Sequence, residues 1–300
     1  MGDWIISLEG TEAGGHLALG LALLAALLHA FFGALQKGRH DPWLSRGAID
    51  FAYGIMAAPV ALFVEPWPDP ALIPLFALIW AIHVVYKLCQ GFTYTLGSYT
   101  VVYPVVRGTG PLFAVIGAGL LFGEHFNWVQ WSGVALLVGA IYGLALYNLK
   151  HWQIGRDRLK PALVMAVVTG LFVAAYTTID AYGIRATADP FTFLAWFFMI
   201  DGLTFPVVAV VRYARMDDKP DLGPLALRGF VGGVTAYFSF GAIMLATRLD
   251  DVGEAAVLRE TSTVFAALIG WLVLGEKVGP RRVIMMALIA LGAVIVEAGG

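Results

Sequence analysis

Charge is the scarcest commodity in this 300-residue chain. Charged residues make up 13% of it, about half the share of a soluble domain, which is too little to cover a globule in water. The net charge of −2 lacks the basic excess that phosphate backbones require, which excludes a nucleic-acid binder. A single cysteine, Cys89, excludes an intrachain disulfide scaffold. There is no P-loop, no GxSxG, no HExxH and no Cys/His metal spacing. The expectation is therefore a protein that is not an enzyme and uses no cofactor or metal. The first 16 residues carry three acids and no Lys or Arg, so the basic n-region of a secretory signal peptide is missing as well.

Apolar residues are abundant. They form 59% of the chain, with a mean hydropathy of +0.79. A bilayer core of about 30 Å needs roughly 20 apolar residues per helix, and ten such stretches follow one another. They cover 17–36, 47–64, 71–91, 98–122 and 128–149 in the first half. The second half has 161–184, 190–211, 225–247, 252–274 and 280–298. The EPWPDP run, the Asp41-Pro42 and Asp189-Pro190 pairs and the MDDKPDLGP stretch separate them. The fold expected is an all-α integral membrane protein with ten transmembrane helices.

Loops after odd-numbered helices hold 15 of the 19 Lys and Arg residues, counting Lys87 and Arg46, and the opposite loops hold Arg185 and Arg248. The positive-inside rule then predicts a multi-pass inner (plasma) membrane protein with both termini outside. Lys87 is expected to snorkel to the cytoplasmic interface.

The chain also repeats itself. Shifted by 152, residues 105–124 fall on 257–276 with eight of 20 identities, among them Arg107/Arg259, Phe113/Phe265 and Gly123-Glu124/Gly275-Glu276. A shift of 148 pairs Lys37 with Arg185 and Asp41-Pro42 with Asp189-Pro190. Two units, 1–150 and 151–300, each with five helices, must enter the membrane in opposite senses. Such inverted-topology repeats mark secondary transporters that bind substrate near the midplane, so a central cavity between the repeats is expected.

Pro111-Leu112-Phe113-Ala114 with Gly123-Glu124, and Val264-Phe265-Ala266 with Gly275-Glu276, resemble the recurring pattern of EamA-type transporters in the drug/metabolite transporter superfamily. The YPVVRGTGP, LRETS and HAFFGALQK segments resemble a bacterial branch of it. The resemblance implies a pseudo-twofold axis in the membrane plane and a cavity lined by helices 3, 4, 8 and 9. Phosphate-exchanging members of the wider superfamily use basic residues on helices 4 and 9. The helix-1 carboxylate of small multidrug exporters is replaced here by His29.

Ionisable residues at membrane depth mark candidate sites. Arg107 and Arg259 occupy matching places, and guanidinium groups suit carboxylate or phosphate. Glu260 breaks the symmetry, its partner being Gly108. It is expected either to accept an amine or proton or to bridge to Arg107. His83 and Tyr86 on helix 3, with Tyr94, Tyr103 and Tyr237, complete the expected substrate-binding set. His29, Asp201 and Asp180 are coupling candidates, Asp180 lying close to a membrane edge. Gly108, Gly110 and Pro111 form an expected hinge beside Arg107.

These readings converge on a secondary active transporter of small polar organic metabolites, amino acids or other organic anions and zwitterions, working by alternating access. Its partners would be a small-molecule substrate, membrane lipids, and protons or an exchanged solute, with no nucleic acid and a monomeric or weakly dimeric state. The alternatives are an exporter of lipophilic amines and a membrane enzyme or scramblase acting on lipid head groups.

Overall fold

A computed structural model describes residues 2–36, 41–97, 99–150, 158–272 and 279–300. Lys37, Arg39, Arg156 and the Gly275-Glu276-Lys277 segment lie outside the described residues. All described regular structure is helical. Ten helical stretches are long and apolar enough to cross a membrane. They contain α2 (Glu12–Gln36), α3 (Pro42–Phe63), α4 (Ile73–Leu96), α5 (Tyr99–Phe122) and α6 (Trp128–Lys150) in the first half. In the second half they contain α7 (Leu159–Ala186), α8 (Pro190–Asp201) with α9 (Thr204–Ala214), and α10 (Leu222–Leu249). The set closes with α11 (Val252–Arg259), α12 (Ser262–Leu272) and α13 (Pro280–Gly299). A short α1 (Gly2–Leu8) precedes them. The first span begins at Glu12, five residues earlier than its apolar run alone indicates.

Local chemistry explains where the helices start. The two Asp-Pro pairs related by the repeat each cap a helix. Asp41 accepts from the amides of Trp43 and Leu44 at 2.9 and 3.2 Å, and Asp189 accepts from Phe191 at 2.7 Å. In both cases proline fills the first helical position, where no amide is needed. The first half also ends one helix by its Gly-Glu pair. Gly123 takes φ +74°, which glycine adopts without penalty. The turn aims Glu124 at the N-terminus of α11, where its carboxylate accepts from the amides of Val252 and Gly253 at 2.8 and 2.9 Å. Burial pushes the Glu124 carboxyl above its usual range, outweighing those amides.

The halves interleave. Helix α10 packs on α2 and α3, α7 packs on α4 and α5, and α6 packs on α13. The outer surface stays apolar: Phe63, Leu120 and Trp128 are each more than four-fifths exposed, as expected of side chains that face lipid. An apolar groove of about 530 Å³ lies among α3, α9 and α10, lined by residues including Phe51, Pro206 and Val210.

Two spans are broken. The seventh breaks at Gly202-Leu203. There α3 and α8 approach so closely that a Cβ on Gly202 would lie 2.7 Å from Gly54 Cα and 2.8 Å from the Asp50 carbonyl oxygen. The ninth breaks at Glu260-Thr261. Thr261 Oγ1 donates to the Leu258 carbonyl at 2.7 Å and the Thr263 hydroxyl donates to the Glu260 carbonyl, so hydroxyls serve helix-end carbonyls that water does not reach. In contrast, α5 runs helically through Gly108–Pro111. Pro111 removes the amide that would otherwise bond to the Arg107 carbonyl. Gly108 and Gly110 make room for Tyr142 and Val173, whose atoms a Cβ would meet at 3.0 and 2.9 Å. The interruption beside an arginine therefore lies next to Arg259 rather than Arg107.

Candidate functional site

Two buried polar clusters sit where the halves meet. The first is built on α3 and α4 against α7 and α8. Lys87 is 2% exposed. Its Nζ donates to Asp50 Oδ2 at 2.6 Å, to Asp201 Oδ1 at 2.7 Å and to the Asp201 backbone carbonyl at 3.2 Å. That carbonyl is free because α8 ends at Asp201. Tyr53 donates its hydroxyl to Asp201 Oδ2 at 2.5 Å and accepts from Lys87 at 3.0 Å. Arg46 reaches the other oxygen of Asp50 at 2.8 Å. Lys87 therefore does not snorkel, and Arg46 is not a loop residue. Both leave the loop tally, because two carboxylates offer more than distant interfacial water does.

His83 lies one turn before Lys87. Its Nε2 stands 2.9 Å from Asp180 Oδ2 and its Nδ1 3.8 Å from Asp201 Oδ1. Tyr176 lies against the ring at 4.8 Å and Phe197 stands edge-on at 5.0 Å. Asp180 is 3% exposed and so is a core residue rather than an interfacial one.

The second cluster joins α5 to the break after α11. Arg107 Nε forms an ion pair with Glu260 Oε2 at 2.8 Å. Its Nη2 donates to Ser262 Oγ at 2.7 Å and to the Arg259 carbonyl at 3.3 Å. Tyr103 lies 5.9 Å from its guanidinium. Of the two readings of Glu260, the bridge to Arg107 is the one seen.

Arg259 differs. It is 5% exposed, and its guanidinium lies over the Phe240 ring at 4.7 Å. Among the described residues no carboxylate, hydroxyl or carbonyl bonds to that guanidinium, and its Nε is buried without a hydrogen-bond partner. It borders a void of about 10 Å³ together with Tyr176, Asp180, Phe240 and Thr247. A second void of about 30 Å³, bordered by His29, Arg46, Tyr53, His83 and Phe240, adjoins the first cluster. Such volumes hold one or two waters, so this conformation is closed around its centre.

The remaining candidates spread outward. Tyr86 is buried at 4.8 Å from Tyr176 and accepts from Gln90 Nε2 at 2.6 Å. Tyr94 packs in the apolar cluster around Val102 and Val105. Tyr237 lies tilted against Phe198 at 4.4 Å, within an aromatic cluster that also takes in Phe240. Arg46, Asp50, Tyr53 and Ser262 are members that sequence reasoning omitted. Asp50 carried a readable signal, a lone acid in an apolar helix. Arg46, taken for a loop residue, stands four positions before it.

Comparison with known proteins follows from this geometry. The model of the EamA-like transporter family matches residues 160–297, which hold the last five spans. The second half of the chain is of the EamA type. No curated protein matches it. A solved structure titled only as the crystal structure of a protein superposes with a TM-score of 0.72 at 17% identity. The match covers 95% of this chain and 96% of that one, a likeness of fold alone. EamA-type proteins are transporters of the drug/metabolite superfamily, and the ten apolar spans make this one a multi-pass membrane protein.

Proposed function

We propose that the protein is a secondary active transporter of small polar organic metabolites carrying an anionic group, amino acids or organic acids, working by alternating access. One observation carries the reading. Arg259 is a buried cation whose guanidinium meets an aromatic face but no carboxylate among the described residues. A buried charge left uncompensated costs several kcal/mol, and the carboxylate or phosphate of a solute repays it through bidentate bonds. Arg107 braces the break after α11 through Glu260 and Ser262, which holds Arg259 in position.

The two units, 1–150 and 151–300, act as inverted repeats, with both termini outside the inner membrane. Since the central voids admit only water, a solute enters when the halves part. The breaks at Gly202-Leu203 and Glu260-Thr261, together with Gly108, Gly110 and Pro111, are the places where helices bend. A single copy suffices because both repeats are in one chain. The runner-up is an exporter of lipophilic amines. It draws support from a cleft of about 660 Å³ bordered by Glu12, Asp250, Asp251, Glu254 and Glu297.

Counterflow in proteoliposomes tests the reading, with labelled amino acids, organic acids, phosphorylated compounds and lipophilic amines as probes. Exchange of anions or zwitterions that is lost in Arg259→Gln supports it. Exchange of amines alone, unchanged in Arg259→Gln, overturns it.

A further inference from the structure

Charge counting around the first cluster leaves one proton to be assigned once an anion is bound. Its fixed cations are Arg46 and Lys87, and its carboxylates are Asp50, Asp201 and Asp180. All three carboxylates are at least nine-tenths buried. Lys87 serves Asp50 and Asp201, and Arg46 serves Asp50. Asp180 is bonded only by His83, a neutral group until it takes a proton, and Arg259 stands on the void it borders. With Arg259 counted, the charges balance while no solute is bound; an anion seated on Arg259 leaves one negative charge over, and one proton on the His83–Asp180 pair cancels it. In a low-dielectric interior the neutral form is strongly preferred.

We infer that the His83–Asp180 pair binds the coupling proton of transport and loads it together with the anionic group held by Arg259. This rests on the reading of Arg259 given above. Three features of the geometry support it. His83 stands on α4 of the first half and both of its carboxylate neighbours stand on α7 and α8 of the second, so a relative movement of the halves makes or breaks the pair. The two residues also border different voids: His83 faces the one shared with His29, Arg46 and Tyr53, and Asp180 faces the one shared with Arg259. An imidazole accepts a proton at one nitrogen and passes it on from the other, so the pair connects two water-sized spaces. Finally, Asp180 Oδ1 is buried with no hydrogen-bond partner, on the void that holds Arg259. The other polar groups near the pair are Tyr86 on its own helix, Tyr176 on α7, Arg46 on α3, Thr247 on α10 and Arg259 on α11.

Coupling follows from this shared wall. An anion seated on Arg259 places negative charge beside Asp180, and a proton on the pair removes that repulsion. By reciprocity the anion strengthens proton binding as much as the proton strengthens anion binding. The two ligands therefore travel in the same direction. No bond to carbon changes; one proton moves from water to the pair and back to water on the other side.

The test counts protons first and needs no solute. Protein in nanodiscs is stepped across a wide pH range while a dye reports released protons, in wild type, Asp180→Asn and His83→Gln. Wild type is expected to release one proton more than either variant. Infrared difference spectra of wild type carrying isotope-labelled aspartate, which need no variant to fold, are expected to show an aspartate carboxyl changing protonation or hydrogen bonding in the same step. Equal proton release, or no labelled aspartate signal, overturns the proton site. Lactate and alanine are then titrated by thermal stability at several pH values. Lactate affinity rising up to about tenfold per unit fall in pH, as one linked proton requires, and flat in Asp180→Asn, supports co-loading. Affinity that falls as pH falls shows displacement and overturns it. If neither probe binds wild type at any pH, the anion reading fails while the proton count still decides the site.

Discussion

Arg107 and Glu260 face each other at 2.8 Å across the seam between α5 and the break after α11, while Arg259, the preceding residue, forms no ion pair among the described residues. Two arginines related by an internal repeat have thus become unequal. One is neutralised and structural; the other is left with an aromatic face and no ion pair among the described residues. The difference comes from Glu260 standing where the first copy has Gly108.

Removing the charge of Glu260 leaves Arg107 buried and unpaired. Glu260→Gln is expected to lower the unfolding free energy by about 3–5 kcal/mol, read by denaturation in detergent. The double substitution Arg107→Met with Glu260→Met is expected to recover much of that loss, because no unpaired charge is then left inside.

Lys87 gives a second expectation of the same kind. Lys87→Met strands Asp201 without its cation, so a loss of about 3–5 kcal/mol is expected, visible as a lower melting temperature. A lysine that merely reached for interfacial water would give a change near zero.

Gly202→Ala tests the close approach that ends α8. The added methyl has to displace Gly54 or the Asp50 carbonyl, an overpacking cost of about 1–3 kcal/mol. It also shifts Asp201, so the variant is expected to lose stability out of proportion to its size. Ala at Gly139, where a Cβ meets nothing within 4 Å, serves as the unaffected control.

Outside the spans, Asp41 supplies a pH dependence. Burial pushes its carboxyl up, but bonds from Arg212 and from the amides of Leu44 and Trp43 outweigh this and hold it below its usual range. A carboxyl depressed in the folded state stabilises above its unfolded value and loses that contribution as pH falls through the folded one. Stability is therefore expected to decline below about pH 4, and Asp41→Asn, which already lacks the ion pair, is expected to show a shallower decline. Melting curves recorded against pH decide this.

Much of this architecture was legible in the sequence. Apolar length gave the spans, Asp-Pro pairs gave two helix starts, and the register of Arg107 on Arg259 gave the centre of the molecule. Lys87 was misjudged because its partner Asp201 is 114 residues away, and no local pattern says whether a lysine near a helix end finds water or a carboxylate. Asp201 in turn owes its free carbonyl to a break at Gly202, and a glycine in an apolar run carries no mark of that. The break in the ninth span left no such mark: the copy with Pro111 is helical in this conformation, and the copy with Thr263 is the one that breaks.

The central claim is that Arg259 binds the anionic group of a solute. Ligand-induced thermal stabilisation of purified wild type, Arg259→Gln and Glu260→Gln measures it most directly. A ligand at about 100 times its dissociation constant adds roughly 2.7 kcal/mol. The account predicts stabilisation of wild type by carboxylate- or phosphate-bearing solutes and its loss in Arg259→Gln. Stabilisation by those solutes that persists undiminished in Arg259→Gln contradicts it.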